Sequence, residues 1–348
     1  TNSGLGTTYT NASGTKDSYN ATCLTSDVNI TIKNGTVTCS ASGAGGKAIK
    51  ADEAITIGDS SNSPTITLTT SGSKFAVSST GSTGGGPGGG SSNIDYCHPK
   101  ALLSDGDITI NNGNLTISST DDAIHAEKSI TINGGNTNIT KSVEGIEAFI
   151  INMNNGYVNI VASDDGVNST AGTTAGGTES NDGSKFNMNG GVMITSATSG
   201  DAIDVNGDFK MTGGVLVAFG PANNTNEDID VNGSIVINGG VFFGASYSSN
   251  MFESINTSST QAGVNLKSSS SVASAGSYFR IQDASGNDLG TFITPRAAYY
   301  FHFSSPYLKK SSSYSVYTGG SYTGGTTYGD KTNGGYSTGG TYSGGSLK

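Results

Sequence analysis

Apolar and polar residues alternate along this chain with a period of two, in short runs that end at Asn-Gly or Gly-Gly. Ile30-Thr31-Ile32-Lys33-Asn34-Gly35, Ile108-Thr109-Ile110-Asn111-Asn112-Gly113 and Ile130-Thr131-Ile132-Asn133-Gly134-Gly135 are clear copies. Met153-Asn154-Asn155-Gly156, Met188-Asn189-Gly190-Gly191, Met211-Thr212-Gly213-Gly214 and Ile237-Asn238-Gly239-Gly240 continue the series. Alternation of this kind predicts strands, and Asn-Gly predicts a turn with positive φ. Gly113 to Gly135 is 22 residues and Gly135 to Gly156 is 21, with later gaps of 35, 23 and 26 that imply insertions. A string of antiparallel hairpins would need a separate partner face for every hairpin. A coil of this length instead holds two or three short strands, and recurring Ile and Val positions stack into apolar columns. The predicted fold is therefore all-β, a right-handed parallel β-helix of about 8 coils with a rise of about 4.8 Å per coil.

A second phrase marks the same repeat: a small residue and a β-branched aliphatic between two polar positions. It reads Asp122-Ala123-Ile124-His125, Glu144-Gly145-Ile146-Glu147, Asp165-Gly166-Val167-Asn168, Asp201-Ala202-Ile203-Asp204 and, more loosely, Glu227-Asp228-Ile229-Asp230. Aligned, the copies give two columns. The first runs Lys47, Lys100, Asp122, Glu144, Asp165, Asp201 and Glu227; the second runs Lys50, Leu103, His125, Glu147, Asn168, Asp204 and Asp230. The small residue between the columns predicts a bend that turns both outward.

Like charges at strand spacing repel, so either their pKa values rise or a hard cation sits among them. Calcium takes six to eight oxygen ligands of the kind these coils offer. The predicted metal ligands are Asp121, Asp122, Glu144, Glu147, Asp164, Asp165, Asn168, Asp201 and Asp204, with the ends of the columns, Lys47 and Glu227, left outside the Ca2+ zone. A solvated acidic face is the plainer reading. Against it, the acids hold one register through four coils while other polar positions drift among Ser, Thr and Asn.

The chain divides by pattern into an N-terminal arm (1–20), the β-helix (21–246), a C-terminal β cap (247–316) and a low-complexity Gly/Tyr/Ser/Thr tail (317–348). Within the helix, 81–92 reads as a Gly-rich loop and 170–184 as an insertion. The tail lacks an apolar core pattern and reads as extended, a surface tether or a strand donated to a neighbour.

Composition adds exclusions. A net charge of −10 argues against nucleic acid and against anionic membranes, and no apolar stretch is long enough to span a bilayer. Thr1, with no Met and no apolar segment after it, fits a processed secreted chain, so a secreted or cell-surface location is expected. Three cysteines, Cys23, Cys39 and Cys97, allow at most one internal disulfide, whose pairing stays open. No Cys/His spacing points to zinc and no nucleophile motif points to covalent hydrolysis, so no catalytic residue is assigned.

The run Tyr96-Cys97-His98-Pro99-Lys100-Ala101-Leu102, then Ser104-Asp105-Gly106-Asp107-Ile108-Thr109-Ile110, resembles the bacterial secreted carbohydrate-binding domain-containing β-helix proteins. The acidic coils continue the match, as do Phe303-Ser304-Ser305-Pro306-Tyr307-Leu308-Lys309-Lys310 and Tyr317-Thr318-Gly319-Gly320. The resemblance covers roughly Asp95 to Gly320 and is weaker before about Gly90. It implies a pectate-lyase-like fold, Ca2+ on Asp122, Glu144, Glu147, Asp165 and Asp201, and binding of cellulose or acidic plant-type polysaccharides. Three functions follow: a non-catalytic polysaccharide binder; a structural subunit of a surface fibre, self-associating through tail or helix ends; and a calcium-dependent lyase with Lys47 or Lys100 as base.

Overall fold

The computed structural model describes residues 1–80, 93–172, 180–247, 253–255 and 258–348. The Gly-rich loop at 81–92 and the middle of the 170–184 insertion lie outside them. The alternating runs form strands that return in threes. Leu102–Ser104, Asp107–Ile110 and Asn114–Ser118 make one such turn of chain. In two turns the first two strands run together, as in Ile124–Ile132 and Ile146–Met153. The described residues hold eight turns, from Thr22–Ser26 to Val241–Ser246.

Successive turns pair in parallel. First and second strands build a 14-stranded sheet, and third strands build most of a 10-stranded one. Ile108 stands opposite Ile55 and Ile130, and Leu115 opposite Ile66 and Thr137. These inward positions form one continuous core, with Ile49, Leu102, Ile124, Ile146, Val167 and Ile203 as its first-strand column. The architecture is all-β with parallel sheets.

The expected positive φ occurs at Gly35, Gly113, Gly135, Gly156, Gly191, Gly214 and Gly240. Stacking adds a second demand, since a Cβ on Gly135 would lie 2.5 Å from the Gly113 carbonyl oxygen. Gly135→Ala is therefore expected to cost at least about 1–2 kcal/mol from the left-handed backbone alone, read as a lower urea midpoint. Beside these glycines, Asn111, Asn133, Asn154 and Asn189 form an amide chain, each Nδ2 donating to the preceding Oδ1 at 2.9 Å.

Past the eighth turn the pairing changes sign. Tyr300–Ser304 lies antiparallel on Val241–Ser246, and Gly263–Lys267 lies antiparallel on Tyr300–Ser304. The segment expected to be an extended tail forms strands instead. Thr326–Asp330, Gly334–Thr338 and Ser346–Leu347 join Ser277–Asp283, Asp288–Thr294 and Tyr314–Thr318 in a six-stranded sheet. This sheet folds back over the outer face of the later third strands. Ile194, Val217 and Phe243 point outward there and form a second core with Phe279, Phe292, Phe301 and Phe303. Tyr157 Oη accepts a hydrogen bond from the Gly329 amide at 2.9 Å, and its ring lies 5.2 Å from that of Tyr328. Tyrosine rings thus supply the apolar area that the tail's composition seemed to lack.

Candidate functional site

The two aligned columns are real neighbours. In the second, Lys50, Leu103, His125, Glu147, Asn168, Asp204 and Asp230 occupy one unbroken parallel register. In the first, each residue's carbonyl accepts the amide that follows the preceding member, as Ala101 N to Asp122 O and Gly166 N to Asp201 O. The expected outward turn leaves neither column fully exposed: Lys100, Glu144 and Asp165 of the first are half-buried, as most of the second are. Lys47, Asp122, Asp201 and Glu227 are buried, with 2–8% of their surface exposed. They lie at the corner where one turn's third strand passes into the next turn's first strand.

The predicted ligands separate into two groups. Asp121, Asp122 and Glu147 surround an ammonium. Lys100 Nζ pairs with Asp122 and stands 3.7 Å from Glu147 and 3.9 Å from Asp121. His125 Nδ1 lies 2.6 Å from Glu147 and 3.2 Å from Asp122, while His98 Nδ1 lies 3.0 Å from Asp121. Burial opposes charge on each member, but the pairing prevails. Lys100 is held above its ordinary pKa by Asp122 and Glu147, and Asp122 is held well below its own by Lys100. His125 is raised to about 11 against burial by hydrogen bonds to Asp122, Glu127 and Glu147. Asp122, His125 and Glu147 present three ligand atoms within 4.8 Å of one another, but the lysine already supplies the positive charge there.

The second group has no such partner. Among the described residues, no Lys, Arg or His forms an ion pair with Glu144, Asp165, Asp201, Asp204 or Glu227. Asp165 Oδ1 accepts the Asp201 amide at 2.7 Å, and Asp201 accepts the Glu227 amide. Asn168 Nδ2 donates to Glu144 at 2.9 Å. A Cβ on Gly200 would collide with Asp165 Oδ1 and lie 2.5 Å from Asp164 Oδ1, so the glycine leaves room for two carboxylates to converge. Both Glu227 carboxylate oxygens and Asn168 Oδ1 are buried without a hydrogen-bond partner.

The cost appears as raised proton affinity. Burial first, and then neighbouring carboxylates, push Glu144 to about 10, Glu227 to about 9 and Asp201 to about 8. Asp165, Asp204 and Glu253 are pushed to about 7 by the same causes. Buried, mutually repelling oxygens with empty hydrogen-bonding capacity suit a hard cation. Glu227 and Asp230, placed outside the sequence-based zone, are continuous with it. Glu253 was not foreseen because it lies beyond the repeat; its carboxylate accepts the Val231 amide at 3.1 Å.

Asp228 departs from the small-residue position of the phrase. It is fully buried and its Oδ2 lies 2.7 Å from Nδ1 of the equally buried His302. That pair joins the last turn to the cap and carries no sequence signal, since His302 has no recurring context.

These features define an all-β chain of parallel sheets with an acidic corner. A family model described as carbohydrate-binding domain-containing protein matches residues 17–145. The match supports carbohydrate binding. It takes in the N-terminal turns that the motif resemblance left aside, and overlaps that resemblance only from about Asp95. No curated protein and no solved structure matches the chain.

Proposed function

We propose that this chain is a right-handed parallel β-helix that binds polysaccharide outside the cell without catalysis, with Ca2+ held along the acidic corner. The observation that carries this reading is the run from Glu144 to Asp230, whose members Glu144, Asp165, Asp201, Asp204 and Glu227 have no cationic partner among the described residues. The ligand set proposed is Asp164, Asp165, Asn168, Asp201 and Asp204, extended to Glu227 and Asp230. Glu144 borders it, and Asp121, Asp122 and Glu147 are served by Lys100. Calcium bound there would neutralise the carboxylates and offer coordination positions to a uronate carboxylate. The family-model match supports the sugar, and the unpaired acids favour an acidic one.

The lyase alternative has less to stand on. Lys100 is locked protonated among carboxylates, and Lys47 is buried with its Nζ bonded to the carbonyls of Gly45 and His98. A general base must be able to give up its proton and reach the substrate. The fibre alternative keeps the first turn's outer edge but loses both the last turn, which the cap covers, and the donated tail, whose strands pair within the chain.

Calorimetric titration with polygalacturonate and cello-oligosaccharides, with and without chelator, tests the reading. Polygalacturonate is expected to bind in calcium and to lose most of its affinity in chelator. Binding to neither polymer under any calcium condition overturns the proposal. Release of unsaturated, ultraviolet-absorbing uronides would assign the lyase instead.

A further inference from the structure

The repeat places two cysteines face to face. Between Thr22↔Lys47 and Leu24↔Ile49, Cys23 occupies the small-residue column that later holds Ala48, Ala123, Gly145 and Gly166. Cys39 heads a third-strand column in unbroken register with Leu68, Ile117, Ile139, Ile160 and Thr195. The columns meet across the corner of each turn. A Cβ built on Gly166 would lie 3.2 Å from Thr195 Cβ, and one built on Gly244 would lie 3.2 Å from Asp228 Cβ. A disulfide needs its Cβ atoms about 3.5–4.5 Å apart, a separation that slight relaxation of these positions reaches.

Most other turns fill this contact with one small and one larger residue, as Ala48 with Leu68 and Ala123 with Ile139, and the seventh fills it with Ala202 and Ala218. In the first turn both places are cysteine. Cys23 Sγ already donates to the Ser40 carbonyl at 3.1 Å, one residue from Cys39. Burial, and next the Cys23 thiol beside it, raise the Cys39 pKa. Cys97 belongs to a different environment, 3.7 Å from Lys47 Nζ and 3.6 Å from Asn20 Nδ2. All three cysteines are thiols in the structure.

We propose that Cys23 and Cys39 form a disulfide that closes the first turn, with Cys97 left as the free thiol. The reaction is exchange with a disulfide donor. The half-buried Cys23 sulfur attacks the donor's S–S bond, and one donor thiol leaves. Cys39 sulfur then attacks the mixed disulfide and releases the second. Two S–H bonds and the donor's S–S bond are lost, one protein S–S bond forms, and two donor thiols carry away the protons and electrons. The bond would fasten the terminal turn, which has a neighbouring turn on one side only.

The test equilibrates the folded chain with oxidised glutathione, alkylates free thiols in denaturant and maps the peptides. The expected product joins Cys23 to Cys39 and leaves Cys97 alkylated, and reductant then lowers the unfolding midpoint. The variant C23A/C39L, which copies the Ala48–Leu68 pair, is expected to fold and to show no response to reductant. Alkylation of both Cys23 and Cys39, glutathione retained on either, or a link to Cys97 overturns the proposal.

Discussion

In chelator, the chain is expected to lose stability steadily as pH rises from about 4 to about 9, and millimolar calcium is expected to remove most of that loss. The sign follows from the acidic corner. Asp201 is raised to about 8 and Glu227 to about 9, against about 3.9 and 4.3 for unfolded Asp and Glu. Across that window the folded chain holds more protons than the unfolded one, so each extra bound proton lowers stability by about 1.4 kcal/mol per pH unit. His125, raised to about 11, acts in the same direction. Its contribution is complete below about 6.5, the unfolded value, and disappears as pH passes the folded one. Calcium competes with protons for the same oxygens. At a hundredfold excess over its dissociation constant, one ion adds about 2.7 kcal/mol. Thermal unfolding measured from pH 5 to 9 in both conditions checks this. A flat profile in chelator, or no calcium effect at pH 8, contradicts it.

Lys100→Met is expected to destabilise the chain by about 3–5 kcal/mol at neutral pH, the usual cost of removing one partner from a buried ion pair. Asp122 is 4% exposed and would be left beside Glu147 with only His125 in compensation. The change also vacates the space between three ligand atoms that lie within 4.8 Å of one another. Zinc suits that nitrogen-and-carboxylate set and is expected to restore part of the loss. Denaturant unfolding with and without zinc measures both effects. A loss below about 1 kcal/mol would mean that the pair behaves like a surface salt bridge.

Much of this site was legible in the sequence, for a physical reason. A small residue beside a β-branched one recurs wherever a turn must pack closely at its corner, so aligning the phrase aligned the strands. His125 and Glu147 stand opposite each other as the columns required. The charge balance was not legible. Lys100 reads as one more column member, but its long side chain crosses the next turn and reaches Glu147 on the turn after. That reach divides an apparently continuous acidic series into a compensated part and an uncompensated one. Glu227 seemed peripheral because its phrase is irregular, with Asp228 where other turns have Ala or Gly. The irregularity belongs to Asp228, which turns inward to His302. The tail's strands are hidden in the sequence because tyrosine counts poorly in an alternation of aliphatic residues, although Tyr328 and Tyr336 pack well against a sheet.

A divalent cation is expected at the uncompensated end of the corner. Calcium titration of chelator-stripped protein by calorimetry, in two buffers of different ionisation enthalpy, measures it directly. Saturable binding with proton release is expected, strongly weakened in Asp201→Asn and Glu227→Gln. No binding, or binding that survives both changes and is lost only in Asp122→Asn, would contradict it.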